Sequence, residues 1–200
     1  QNSKLIKKNY LEDLNKSNKP FIIYKSDNGF DLYTNFSKKI ILTNRNIEKF
    51  INNNTKLKST NKETDLFIGF FGYEILNNLI GVKIKKQKGL KFPKGIFYKP
   101  ETKIKFSNKL NYNPLEFIKS NKVFDINLNK ISYKKIFNKF KKKIKAGETY
   151  QIKICTKYKN ISQVDALDFF CRLVKSNMAP EAFMIKDKNY SIISCSPENL

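Results

Sequence analysis

The amino-acid sequence predicts a mixed domain, α+β or layered α/β, and three observations lead there. Alternating apolar stretches bounded by turn residues crowd residues 19–43 and 182–195. Apolar residues recur at spacings of three and four in residues 133–146 and 166–176, the period of a half-buried helix. From residue 132 onward the order is helix, strand, helix, strand, strand, which suits helices laid on a sheet. With 200 residues the chain has the size of one large domain or two small ones and can bury a real core.

Taken in order, Pro20-Phe21-Ile22-Ile23-Tyr24, the turn Ser26-Asp27-Asn28-Gly29, and then 30–36 and 39–43 read as strand, turn and strands. Ile47, Phe50 and Ile51 give residues 44–53 a short helical pattern, followed by a polar Asn/Lys/Thr loop to residue 64. The block 66–76 begins as a strand, with Gly69 and Gly72 suited to close packing, and 93–107 reads as a strand or hairpin with Ile96, Phe97, Ile104 and Phe106 inward. Residues 108–129 are the least patterned and suggest a link between halves, 1–125 and 126–200. Ser132 is positioned to cap the helix 133–146, Ile131 to pack on Ile136 as a hydrophobic staple, and Gly147 to end it in a left-handed turn. Residues 150–158 alternate strictly and predict a strand with Ile152, Ile154 and Thr156 on one face and Gln151, Lys153 and Cys155 on the other. Asp165 caps a helix 166–176, Pro180 blocks its continuation, and strands 182–185 and 190–195 close around the turn Lys186-Asp187-Lys188-Asn189.

Composition excludes several function classes. The chain has no His, and its three Cys form no CxxC pair, which removes zinc-ligand spacings and Ser-His or Cys-His dyads. The apolar run 66–73 is far shorter than the ~18 residues of a membrane span, and the lysine-studded start has no signal-peptide core, so a cytoplasmic location is expected. The formal net charge of +23 suggests nucleic acid, but all but two of the 40 basic residues are lysines, spread along the chain. A groove that reads bases or phosphates favours arginine forks, so the charge reads as solvated surface with a Lys/Asn/Ile compositional bias. The rival from another class is a single-stranded nucleic-acid binder stacking bases on Phe70, Phe71 and Tyr73.

The segment Ile144-Lys145-Ala146-Gly147-Glu148-Thr149-Tyr150-Gln151-Ile152, then Met178-Ala179-Pro180, then Ile193-Ser194-Cys195-Ser196-Pro197-Glu198 resembles the chorismate-utilising enzymes. More narrowly it is similar to component I of aminodeoxychorismate synthase or of anthranilate synthase, and Gly69-Phe70-Phe71-Gly72-Tyr73-Glu74 is similar to an upstream element of that family. The resemblance implies an α+β fold of layered antiparallel β-sheets with outer helices. It implies a β-rich N-terminal region over 1–125 and, over 126–200, the start of a chorismate-binding domain incomplete at its C-terminal end. It also implies amination of chorismate with ammonia from a glutamine amidotransferase subunit, and Mg2+ whose ligands lie beyond residue 200.

Carried over residue by residue, Glu198 matches the family's Ser-Pro-Glu glutamate, the acid or base for departure of the C4 hydroxyl, a role that suits a strand-end carboxyl with a raised pKa. Gln151 matches the position where hydrating relatives carry a lysine that activates water. A neutral amide there argues for amination over hydration. Ser26, Tyr33, Thr34, Asn35, Phe36, Pro180, Glu181 and Ala182 fall where the family's tryptophan pocket lies, offering an apolar slot with polar anchors. Departures are Lys25 for a glutamate, Glu148 for aspartate, Lys153 for asparagine and Asn199 for arginine. Lys25 and Ala179-Pro180 tilt the expectation towards aminodeoxychorismate and folate synthesis, with anthranilate and tryptophan synthesis as the alternative.

Overall fold

A computed structural model describes residues 10–26, 29–55, 62–82, 93–106, 110, 112, 124–162 and 164–196. It divides into two compact units, Gln1–Leu115 with Asp165–Leu200, and Glu116–Val164. Residues 126–200, expected to form a second half, therefore contribute to both.

The first unit is built on one six-stranded sheet. Its strands are β1 (Phe21–Ser26), β2 (Gly29–Ile41), β3 (Ile68–Phe71), β4 (Gly95–Phe106), β7 (Glu181–Lys186) and β8 (Ser191–Ser196). Their order is β3-β4-β2-β1-β7-β8, and every pairing is antiparallel. The hairpin expected at Ser26-Asp27-Asn28-Gly29 is present, with Ser26 paired to Gly29 and Gly29 at φ 111°. The two short strands expected over 30–43 are one long strand. A bulge between Phe36 and Lys38 takes up the extra residue opposite Pro100, which has no N–H to donate to the ladder. Residues 93–107 likewise hold one strand, β4, and not a hairpin.

Alternation sends the two sets of side chains to opposite faces. Phe21, Ile23, Phe30, Leu32, Phe106, Ala182 and Met184 face Leu11 of helix α1 (Tyr10–Lys16) and Leu167 and Phe170 of α5 (Ala166–Asn177). Burying each such Phe or Leu contributes about 1.5–3 kcal/mol. Ile22, Tyr33, Ile96, Tyr98 and Ile185 form the core of the other face. A third cluster joins Leu42 and Phe97 to helices α2 (Ile47–Asn54) and α3 (Tyr73–Leu79). Neither α1 nor α3 is visible in the sequence pattern, because Leu11, Leu14 and Ile75 are too few to establish a period. Asp165 caps α5 as expected, accepting from the Asp168 N–H at 2.8 Å, and α5 ends at Met178 in the left-handed conformation, φ 47°.

The second unit holds α4 (Lys130–Lys145) and a two-strand ladder of β5 (Asp125–Ile126) and β6 (Tyr158–Lys159). Helix α4 starts three residues earlier than expected. Its cap is Asn129, whose side chain accepts from the Ser132 N–H at 2.8 Å. The expected cap Ser132 is thus inside the helix, and so is Ile131, 69% exposed and not a staple. Gly147, at φ 73°, follows the helix as expected. Residues 151–157 keep the alternation of exposure but join no strand ladder, so the strand expected there is reduced to β6. None of the described residues 124–162 is buried.

Candidate functional site

The hairpin β1–β2 and the paired β1–β7 bring Ser26 and Pro180-Glu181-Ala182 of the expected pocket group to one end of β1. Lys25 lies opposite Ala182 and Phe30 in the ladders, one residue from the Ser26–Gly29 pair. Its ammonium donates to the carbonyls of Ala179 at 2.8 Å and Pro180 at 3.0 Å. On the opposite face the Tyr24 hydroxyl donates to Glu181 Oε1 at 2.7 Å. Two successive residues of β1 thus hold the start of β7 from both sides. Ala182 is buried on the helix-covered face, where the Cys195 thiol lies nearby. Burial raises the pKa of that thiol, against the lowering effects of Asn177 and Lys25.

The remaining pocket residues sit farther along β2. From Gly29 to Thr34 the strand advances roughly 17 Å at its ordinary rise. Tyr33 and Thr34 point to opposite faces: Tyr33 belongs to the core of one, while Thr34 is 2% exposed on a strand whose next inward neighbours, Leu32 and Phe30, face α1 and α5. The Tyr33 phenol is pushed up to about 12 by burial and then by the Asp31 carboxylate, which also pairs with Lys103 at 3.0 Å. Asn35 takes a left-handed conformation, φ 51°, and donates to Thr102 Oγ1 at 3.1 Å. Phe36 packs on Tyr98 with ring centres 4.8 Å apart. Thr34, Asn35 and Phe36 line a cavity of about 400 Å³ together with Tyr10, Leu14 and Pro20. The Thr34 hydroxyl has no hydrogen-bond partner. The structure therefore gathers Ser26, Pro180, Glu181 and Ala182 at one end of β1 and Thr34, Asn35 and Phe36 beside the other.

Gln151 is exposed in the second unit, on the extended stretch after Gly147, where its carbonyl accepts from Thr149 Oγ1 at 3.1 Å. Glu198 lies outside the described residues. Among the described residues no group of three His, Cys, Asp or Glu could hold a metal ion, and no helix is long and apolar enough to cross a membrane.

Sequence reasoning missed a buried carboxylate of the first unit that gathers several hydrogen bonds. Asp187 reads in the sequence as a turn residue, yet it is 8% exposed and accepts from the Tyr98 hydroxyl, from Lys39 Nζ at 2.5 Å and from the Lys188 N–H at 2.6 Å. Burial pushes its carboxyl up, but the hydrogen bonds from Lys39, Tyr98 and Lys188 outweigh it and hold the pKa below the ordinary carboxylate value. Tyr98 is driven far above its usual range by burial and by this same carboxylate. The only signal in the sequence was an acidic residue set between lysines, and that pattern is common in exposed turns.

A family model described as chorismate binding enzyme matches residues 8–200. Curated relatives include anthranilate synthase component 1 of Buchnera aphidicola subsp. Schizaphis graminum (strain Sg), 29% identical over 129 residues, or 62% of this chain and 23% of that protein. The same-named protein of Buchnera aphidicola subsp. Rhopalosiphum maidis is 33% identical over 103 residues, 50% of this chain and 20% of its own length. That of Buchnera aphidicola subsp. Diuraphis noxia is 25% identical over 200 residues, 82% of this chain and 37% of its own. The chain thus spans between about a fifth and somewhat over a third of the length of these relatives.

Proposed function

Since the chain belongs to the chorismate binding enzyme family, we propose that the protein containing it is a component I enzyme that aminates chorismate with ammonia, with loss of the C4 hydroxyl. The observation that carries the amination is Gln151, a neutral amide at the position where hydrating relatives carry a lysine. An amide can hold ammonia or substrate by hydrogen bonds without taking a proton from water, whereas an amine base would generate the competing nucleophile. Glu198 is the proton carrier in this reading: a carboxyl beside the ring gives a proton to the departing hydroxyl. Ammonia comes from a glutamine amidotransferase subunit, and the setting is cytoplasmic.

Mg2+ would hold the substrate carboxylate in such an enzyme. The described residues supply no site for it.

Two products fit this chemistry. The names of the relatives favour anthranilate. Lys25 and Ala179-Pro180 are the residues that favour aminodeoxychorismate. Incubating the protein that carries residues 1–200 with chorismate, ammonium and Mg2+ and identifying the product separates the readings. Anthranilate or aminodeoxychorismate supports amination and names the branch; isochorismate or salicylate overturns it.

A further inference from the structure

Gln151 shares its face of the chain with a cation. Over residues 151–157, Gln151, Lys153, Cys155 and Lys157 are exposed, while Ile152, Ile154 and Thr156 between them are half-buried. Lys153 is therefore the next side chain on the face that carries Gln151, roughly 7 Å along at the rise of an extended chain. Both ends of this stretch are held within the second unit. At its start the Thr149 hydroxyl donates to the Gln151 carbonyl at 3.1 Å. At its end the Lys157 N–H donates to Asn127 Oδ1 at 2.6 Å, and the Asn127 N–H donates to the Lys157 carbonyl at 3.1 Å. The surroundings are basic. No Asp or Glu occurs from Thr149 to Val164, and the lysines of the second unit far outnumber its acidic residues Glu116, Asp125 and Glu148. Glu148 itself pairs with Lys143. Such a field draws anions in, and an ammonium makes its strongest hydrogen bonds to carboxylates.

We propose that Lys153 is a specificity-determining residue that binds a carboxylate of the substrate facing Gln151. Naming that substrate rests on the component I reading. Chorismate carries one carboxylate on its ring and one on its enolpyruvyl arm, so an ammonium two residues from the amide can hold either while the ring stands before Gln151. Lys153 acts as a fixed charge and not as a base. The lysine that activates water in hydrating relatives matches position 151, and a general base must shed the proton that an anchor keeps. The two roles differ in kinetics: loss of an anchor that grips ground state and transition state alike raises KM, whereas loss of a base lowers kcat.

The test follows consumption of chorismate, with ammonium and Mg2+, by the full-length protein that carries residues 1–200. In Lys153→Met, KM for chorismate rises at least about tenfold, as loss of a charge-assisted hydrogen bond implies, and kcat stays within about twofold. Lys153→Arg keeps the charge and holds KM within about threefold of wild type. Lys157→Met, roughly 20 Å from Gln151 on the same face, leaves KM within about twofold. An unchanged KM in Lys153→Met overturns the proposal, as does a fall in kcat alone, which makes Lys153 a base. An equal rise in Lys157→Met also overturns it, because a diffuse field then accounts for the effect.

A second readout needs neither turnover nor a variant. Wild-type amines are acylated with and without saturating chorismate and analysed by peptide mass spectrometry. Chorismate slows the reaction of Lys153 and leaves Lys157 unchanged; equal effects on both, or none on Lys153, overturn the proposal. The wild-type product decides amination separately, since isochorismate or salicylate overturns that reading while the KM ratio and the protection still report on Lys153.

Discussion

Asp187, on the turn between β7 and β8, accepts a hydrogen bond from the hydroxyl of Tyr98 on β4, with strands β1 and β2 lying between β7 and β4 in the sheet. The contact is possible because β1 starts at Phe21, opposite Lys186, while β2 and β4 run on past it. Beyond the end of β1 the carboxylate fills the space, and Lys39 of β2 reaches it from the solvent side.

Asp187→Asn is expected to destabilise the first unit by about 2 kcal/mol, because hydrogen bonds to a charged group are lost and the amide presents donors to Lys39. Tyr98→Phe costs less, about 1 kcal/mol. Urea unfolding followed by far-UV circular dichroism measures both.

Acid should remove what Asp187 contributes. Its folded pKa lies below the unfolded carboxylate value of about 4, so the contribution is complete above that value and falls as pH drops below it. It is gone once pH has passed through the lower folded pKa. A stability profile from pH 7 to 2 should therefore be shallower at its acid end in Asp187→Asn than in wild type; parallel profiles would show that the carboxylate is not held by its partners.

Gly69 lies where β3 meets β4, and a Cβ there would stand 1.9 Å from the Ile96 carbonyl oxygen and 2.8 Å from the Phe97 Cα. Backbone atoms cannot swing away as a side-chain tip does. Gly69→Ala is expected to cost roughly 1–3 kcal/mol and to loosen the β3 edge, read as faster hydrogen exchange at residues 68–71.

The cap of α5 joins two parts of the first unit, since Asp165 accepts both from the Asp168 N–H and from Asn15 Nδ2 at 2.7 Å. Asp165→Ala should cost about 1–2 kcal/mol, and Asp165→Ser, which can still cap, roughly half of that. Thermal unfolding of the two variants gives the comparison.

Helix α4 carries Ile131, Tyr133, Phe137 and Ile144 at 40–69% exposure. The 200-residue chain should bind a hydrophobic dye such as ANS strongly. Replacing Tyr133 and Phe137 by Gln should cut that fluorescence while shifting the unfolding of the first unit by less than about 0.5 kcal/mol.

Much of this fold is legible in the sequence wherever local chemistry decides. Asp165 before an apolar period, Gly147 after one and Ser26-Asp27-Asn28-Gly29 between strands each mark a boundary that the structure keeps. Elements that depend on distant partners are less legible. Residues 150–158 alternate well enough to read as a strand, yet a strand needs a neighbour to complete its ladder, and the described residues provide one only for Tyr158 and Lys159. Ser132 and Asn129 are both good caps, and choosing between them requires the backbone angles of a helix start. In the candidate site, the grouping of Ser26 with Pro180-Glu181-Ala182 follows from β1 pairing with β7. The opposite facing of Tyr33 and Thr34 follows from strand alternation alone. The role of Lys25 stayed hidden because its two acceptors are carbonyls, which every residue has.

Strand β1 gains its second neighbour from residues 181–186, some 160 positions later in the chain. While the ribosome is still making the protein, β1 therefore has β2 on one side and a row of unsatisfied backbone groups on the other, above a hydrophobic face that α5 does not yet cover. Contacts that remote slow folding. Until about residue 186 has left the exit tunnel, the nascent chain offers that open edge to chaperones and to strands of its own kind alike.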